Sequence, residues 1–133
     1  MTYRRMLKSK IHRARVTEAD LNYEGSITIS PELLKAANIL PYEAVNVWNV
    51  TAGTRFETYA ITGEPGSTEL CVNGAAAHLV TPGDLVIIAT FSQVQEENCA
   101  HINPTVVFVD QFNRIKETRP ERVGIKSEEF SEA

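Results

Sequence analysis

At 133 residues, 43% hydrophobic and 23% charged, the chain has the size and composition of one globular domain with a genuine core. A net charge of −4 gives no footing for nucleic acid or an anionic membrane as the main partner, and no apolar run approaches the length of a membrane span. Cys71 and Cys99 form no CxxC, and the N-terminus lacks the apolar stretch of a signal peptide, so the expectation is reduced thiols in the cytoplasm.

In chain order, "MLKSKIHRARVT" reads as a strand whose alternation puts Lys8, Lys10 and His12 on one face. Six of the 13 Lys and Arg residues fall at or before Arg15, and no acid precedes Glu18. A nucleic-acid arm or an import presequence has this look. The interleaved Leu7, Ile11 and Val16 favour a strand, either anion-binding or simply solvated. "ISPELLKAANIL" predicts a short helix: Ser30 is the N-cap, Pro31 fits the first helical position, and Asn38 suits a left-handed end before Pro41. "AVNVWNVT" and "RFETYAIT", joined through Ala52-Gly53, predict a hairpin. After the turn "GEPGST" come a brief strand "ELCV" and a short helix opened by Asn73-Gly74. The turn "TPGD" leads into "LVIIATF", an apolar run suited to a buried strand, and "TVVFVD" adds another. From about 113 to 133 the pattern fades, which predicts a loose C-terminal segment. Many short strands with a few short helices make this a mostly-β fold of one domain, 1–133, of the compact barrel type.

No metal constellation, Walker loop, GxGxxG or GxSxG stands out, and Cys99 with His101 is too thin a pairing to make a dyad. The informative stretch is "YEGS", 23–26. A serine hydroxyl can attack the carbonyl of the preceding residue and turn that amide into an ester. Glycine at that position leaves the approach open and permits unusual backbone angles. Elimination of the ester gives a dehydroalanine, and its hydrolysis leaves a ketone, a pyruvoyl group, at residue 26. A Gly-Ser pair by itself is far more often a plain turn.

The surroundings of Gly25-Ser26 narrow this. "KIHRARVTEADLNYEGS" (10–26), "VNVWNVTAGTRFETYAI" (45–61) and "VNGAAAHLVTPGDLVIIATF" (72–91) resemble the pyruvoyl-dependent aspartate 1-decarboxylases, in the family's order and over roughly residues 5–110. The resemblance implies a double-psi β-barrel, to which the Gly83-Asp84 turn corresponds, assembled as a homotetramer with sites between subunits. It implies self-cleavage into 1–25 and 26–133. It implies conversion of L-aspartate to β-alanine and CO2, for pantothenate and coenzyme A, through a Schiff base on the pyruvoyl group formed from Ser26. No metal, pyridoxal phosphate, nucleic acid or membrane enters that chemistry.

The same resemblance implies roles. Gly25 is the cleavage partner, Thr58 assists the acyl shift, and Tyr59 is the proton donor. Arg55 clamps a carboxylate, Lys10 adds positive charge, and Gly74, Ala75 and Ala76 offer backbone N–H groups. His12, on the Lys10 face by its spacing, and Asn73 line the site, and Trp48 resembles a site-lining tryptophan with core packing as an equal alternative. Strict alternation, however, puts Arg55 and Tyr59 on one strand face and Thr58 on the other, so a bulge, a strand edge or a second subunit is required. Two rivals stand beside this reading: a glutamate decarboxylase of the same chemistry, and an unprocessed barrel that binds an anion or nucleic acid. Whether a separate activating protein takes part in cleavage is open at this level.

Overall fold

The structure is a computed structural model, and it describes residues 1–121. The strands are β1 (Tyr3–Arg15), β2 (Glu18–Asp20), β3 (Ser26–Ile29), β4 (Ala44–Asn49), β5 (Arg55–Thr62), β6 (Leu70–Asn73), β7 (Leu85–Gln95), β8 (Thr105–Val109) and β9 (Ile115–Pro120). One α-helix, α1 (Pro31–Ala36), and two 3-10 segments, Gly74–Leu79 and Glu96–His101, complete the described elements. The strands form one nine-stranded sheet in the order β2-β6-β3-β5-β4-β7-β1-β8-β9.

Local chemistry explains the expected elements. The Ser30 hydroxyl accepts from the Leu33 N–H, Pro31 starts α1, and Asn38 takes φ 55° just past its end. β4 and β5 pair antiparallel from Ala44–Tyr59 to Trp48–Arg55, as the hairpin reading required. Gly83 adopts φ +100° in the turn before β7. The Asp84 carboxylate fastens that turn by accepting from the Thr81 N–H at 2.9 Å and from Asn49 Nδ2 at 2.8 Å.

The short helix expected at Asn73-Gly74 forms as a 3-10 segment. Two features differ from the expectations. β1 starts three residues earlier than the expected strand and ends at Arg15, because it pairs with β7 from Tyr3 to Arg15, with register shifts between Leu7 and Ser9 and between Ile11 and Ala14. The segment expected to be loose from about 113 holds β9, which pairs antiparallel with β8. Its ordering comes from contacts that a local pattern does not display: Arg119 lies over the Phe108 ring at 4.4 Å, and Asn113 bonds the backbone of Arg15 and Thr68. The rest of the expected loose segment, 122–133, lies outside the described residues.

One core draws on both sides of the Gly25–Ser26 bond. Ile11, Ala14 and Val16 from β1 and its end pack into the same cluster as Ile27, Ile29, Val45, Val47, Leu70, Val72, Val86, Ile88 and Val107. β1 itself lies between β7 and β8. Residues 1–25 are therefore held by strand pairing and apolar burial that do not depend on the 25–26 peptide.

Candidate active site

The loop 21–25 has to cross the end of β6. β2 and β3 flank β6 on opposite sides, and both meet Asn73: Asp20 pairs with it in parallel register and Ser26 in antiparallel register. The chain leaves one flank of Asn73 at residue 20 and returns on the other at residue 26, so it must pass over Gly74. There the backbones touch. Gly74 has φ +74°, and a Cβ on it would stand 2.6 Å from Gly25 Cα, 2.8 Å from Gly25 N and 3.1 Å from the Tyr23 carbonyl oxygen. Only a glycine leaves this space. The peptide ahead of Ser26 is thus pressed against residue 74.

Pairing also sets the side chains. Ser26 pairs with Asn73 and Thr28 with Cys71, so all four lie on one face of β3 and β6, while Ile27, Ile29, Leu70 and Val72 turn to the core. Ser26 is 1% exposed. Its hydroxyl donates toward the Glu24 carbonyl at 3.3 Å and accepts from Asn73 Nδ2 at 3.0 Å. The second Asn73 N–H goes to Thr28 Oγ1 at 3.1 Å, and Asn73 Oδ1 accepts from the Cys71 thiol at 3.1 Å. Because its amide is engaged in this way, Asn73 gives no side-chain cap to the helix it precedes. Cys71 and Thr28 carried no weight in the sequence. The only signal for them was their spacing, each two residues from a site residue on a strand.

β5 runs parallel to β3 with Ile27 opposite Ala60. Counting back one rung sets Tyr59 level with Ser26 and on its face. Tyr59 is 36% exposed, and its ring lies 6.4 Å from that of Tyr42. The β4–β5 register runs unbroken from Arg55 to Tyr59, so no bulge re-aims this strand. Arg55 shares the Tyr59 face but sits four residues away, about 13 Å along the strand. Thr58 faces the opposite side, half-buried.

The other expected residues form a second group. The Arg55 guanidinium lies 5.0 Å from the Trp48 ring centroid, Trp48 is 6.5 Å from Phe91, and Arg5 lies 4.4 Å over Phe91. This makes a cation–aromatic row across β5, β4, β7 and β1. Lys10 pairs with Glu121 at 2.9 Å, and His12 meets Phe108 edge to face at 5.3 Å. The His12 pKa is lowered to about 4, first by burial and then by Lys10 and Arg13, so the ring is neutral near pH 7. Three strands stand between β3 and β1, about 19 Å measured along the sheet. In sheet position, Gly25, Ser26, Asn73, Gly74 and Tyr59 fall together where β3, β5 and β6 meet, while Lys10, His12 and Trp48 fall on other strands and Arg55 four residues along β5. In the 74–79 segment, Ala76 packs against the core while Ala75 is exposed. The Cys99 thiol points at the carbonyls of Val94 and Gln95, not at His101. Among the described residues no group of three or more His, Cys, Asp and Glu is placed to hold a metal, and no helix is long and apolar enough to cross a membrane.

Comparison with known proteins bears on this arrangement. The family model described as aspartate decarboxylase matches residues 1–116. An aspartate 1-decarboxylase of Legionella pneumophila (strain Lens) is 83% identical over 127 residues, covering 96% of each chain. One from Myxococcus xanthus is 63% identical over 110 residues, 83% of this chain and 85% of its own. One from Rhodopirellula baltica is 57% identical over 122 residues, 92% of this chain and 78% of its own. The residues packed around Ser26 thus lie in a sequence that matches over nearly its full length, and the chain belongs to the aspartate decarboxylase family.

Proposed function

We propose that this chain is made as a precursor that cuts its own Gly25–Ser26 bond and then decarboxylates L-aspartate at residue 26. The activity is that of a pyruvoyl-dependent carbon–carbon lyase: L-aspartate loses its α-carboxylate as CO2 and leaves as β-alanine, which feeds pantothenate and coenzyme A synthesis. The observation that carries the cleavage reading is the clamp at 25–26. Gly74 lies against the Gly25 backbone while Asn73 holds the Ser26 hydroxyl.

In the cleavage step, Ser26 Oγ bonds to the Gly25 carbonyl carbon and the Gly25–Ser26 C–N bond breaks. The hydroxyl proton ends on the freed nitrogen. The family resemblance, rather than the register, makes Thr58 the candidate donor to the Gly25 carbonyl as it takes on negative charge. Loss of the Ser26 Cα proton then expels Gly25 as a carboxylate. Water converts the remaining dehydroalanine to the ketone and releases ammonia.

The residues fit a pyruvoyl group at 26: the position is almost fully buried, on the Tyr59 face, with the Asn73 amide against it. When in place, that group supplies a carbonyl that condenses with the substrate amine and draws in the electron pair left by departing CO2. The chain does the rest. The Tyr59 hydroxyl holds the proton for the carbon that lost CO2. The backbone N–H groups of Gly74, Ala75 and Ala76 face one substrate carboxylate. Arg55 holds the other through its two-pronged guanidinium, steadied on Trp48, with Lys10 adding charge and neutral His12 lining the wall.

Arg55 and Lys10 are remote from Ser26 within one chain, which supports sites built between subunits of a homotetramer. The exposed Leu21, Leu40, Tyr42, Val50 and Phe112 are apolar surface of the kind such an assembly covers. The mixed sheet, with parallel pairs β1–β8, β2–β6 and β3–β5, supports closure as a double-psi barrel. Cleavage need not shed residues 1–25, since β1 stays between its neighbours.

Intact mass and a denaturing gel test the proposal, with β-alanine formation assayed on the same sample and glutamate as the rival substrate. Wild-type protein, incubated with cell extract to supply any activating factor, should give fragments 1–25 and 26–133 and consume aspartate. Ser26→Ala should stay whole and inactive. An uncut wild-type chain that still decarboxylates aspartate refutes the cleavage reading.

A further inference from the structure

We propose that Cys71 is a positioning residue for self-cleavage: its thiol donates to Asn73 Oδ1 and thereby turns the Asn73 amide so that Nδ2 holds the Ser26 hydroxyl. The inference rests on the reading of Ser26 as the attacking group. It starts from a geometric choice. An asparagine side chain can be seated two ways, related by a half-turn, and its neighbours decide between them. Here Nδ2 spends both hydrogens on hydroxyls, 3.0 Å to Ser26 Oγ and 3.1 Å to Thr28 Oγ1. What remains for Oδ1 is a donor, and Cys71 Sγ stands there at 3.1 Å.

The reversed seating would aim the amide N–H groups at sulfur, a weak acceptor. It would also aim Oδ1 at Ser26, where it competes with the Glu24 carbonyl for the hydroxyl proton. The thiol therefore selects the orientation in which Ser26 Oγ accepts from Asn73 and keeps its proton on Glu24. A thiol can do this only while protonated. Cys71 is 4% exposed, and Glu18 is its register partner on β2. Burial first, then a side-chain hydrogen bond with Glu18 and the charge of that carboxylate, push its pKa up to about 12. The sulfur remains a donor across the physiological range, and it is an inert thiol, not a nucleophile.

Three substitutions separate donation from packing. Cys71→Ser keeps a donor; Cys71→Ala and Cys71→Val remove it in two different shapes. Fold is checked by circular dichroism and gel filtration, and cleavage is followed as the appearance of fragments 1–25 and 26–133 with time. Cys71→Ser should cleave within about twofold of wild type, and the other two about tenfold more slowly, the effect of one ordinary hydrogen bond. Wild-type cleavage rates in folded Cys71→Ala or Cys71→Val overturn the proposal. So does a folded Cys71→Ser that is as slow as they are, because then only the shape of the residue matters. A wild-type chain that never yields the two fragments sinks the Ser26 reading itself, whereas normal wild-type cleavage with indifferent Cys71 variants sinks only the role of Cys71.

Discussion

Gly74→Ala is the substitution that most directly probes the clamp on Gly25–Ser26. Two costs combine. A non-glycine residue at φ +74° costs about 1–2 kcal/mol for its left-handed backbone. The added Cβ would also stand 2.6 Å from Gly25 Cα, where carbon atoms settle at about 3.5–4.0 Å. Something must move by roughly 1 Å, and the nearest atoms are all backbone, so overpacking adds about 1–3 kcal/mol. Gly53→Ala is the control. It has φ +80° but nothing within 4 Å of a Cβ, so it carries the first cost alone. Urea unfolding of both variants in a Ser26→Ala background, at one protein concentration, should show Gly74→Ala less stable than Gly53→Ala by about 1–3 kcal/mol. With Ser26 restored, a 1 Å displacement of the reacting carbonyl should slow cleavage about 10²-fold in Gly74→Ala and hardly at all in Gly53→Ala. Gly74→Ala that cleaves at the wild-type rate and unfolds with Gly53→Ala would refute the argument that contact with residue 74 holds the scissile peptide.

Tyr59→Phe keeps the ring and removes the proton source. It should cleave normally yet lose about 10²–10⁴-fold in β-alanine formation, and wild-type turnover in the cleaved variant would remove Tyr59 as donor. Arg55→Ala should lower kcat/KM for aspartate steeply, with little recovery in Arg55→Lys, because a point charge does not replace a planar fork; near-normal kinetics in Arg55→Ala would count against the clamp. His12 gives a pH prediction. Its folded pKa of about 4 lies below the ordinary 6.5, so between those values the unfolded chain takes up a proton that the folded chain refuses, and stability falls as pH drops through that window. The fall in urea midpoint from pH 7 to pH 4.5 should be smaller in His12→Gln than in wild type, and equal falls would contradict the assigned burial.

Much of the fold was legible because its signals are local. Ser30-Pro31 and Asn38 mark both ends of α1, and period-2 alternation marks β4 and β5. β3 was not legible as a strand: four residues beside a Gly-Ser pair look like a turn, and they extend only because β5 and β6 pair with them on either side. β9 was not legible for a different reason. It is almost wholly exposed, so it has no buried face to write an alternation into its sequence. At the site, resemblance singled out Ser26 and Asn73 but not the contact between them, which depends on β2 and β3 flanking the same residue of β6.

In the proposed reading, that shared residue puts cleavage and catalysis in one place. A loop stretched over the end of a strand, from Asp20 to Ser26, brings its last peptide against whatever follows Asn73. Glycine there lets the loop lie close, and the asparagine beside it already points at the Ser26 hydroxyl, the proposed attacking group. The same parallel register that seats Ser26 also sets Tyr59 level with it. The proposed electrophile would therefore form where the proposed proton donor already stands. Arg55 lies four residues along β5, so in this reading one chain makes the reactive group while substrate capture draws on a neighbour. Mixing subunits tests that division: Ser26→Ala and Arg55→Ala proteins, each inactive alone, should regain part of the wild-type activity when refolded together, since some mixed sites would then carry both an intact Ser26 and an intact Arg55. Mixtures that stay as inactive as their parents, while gel filtration shows that they have assembled, would place both residues in one chain's site.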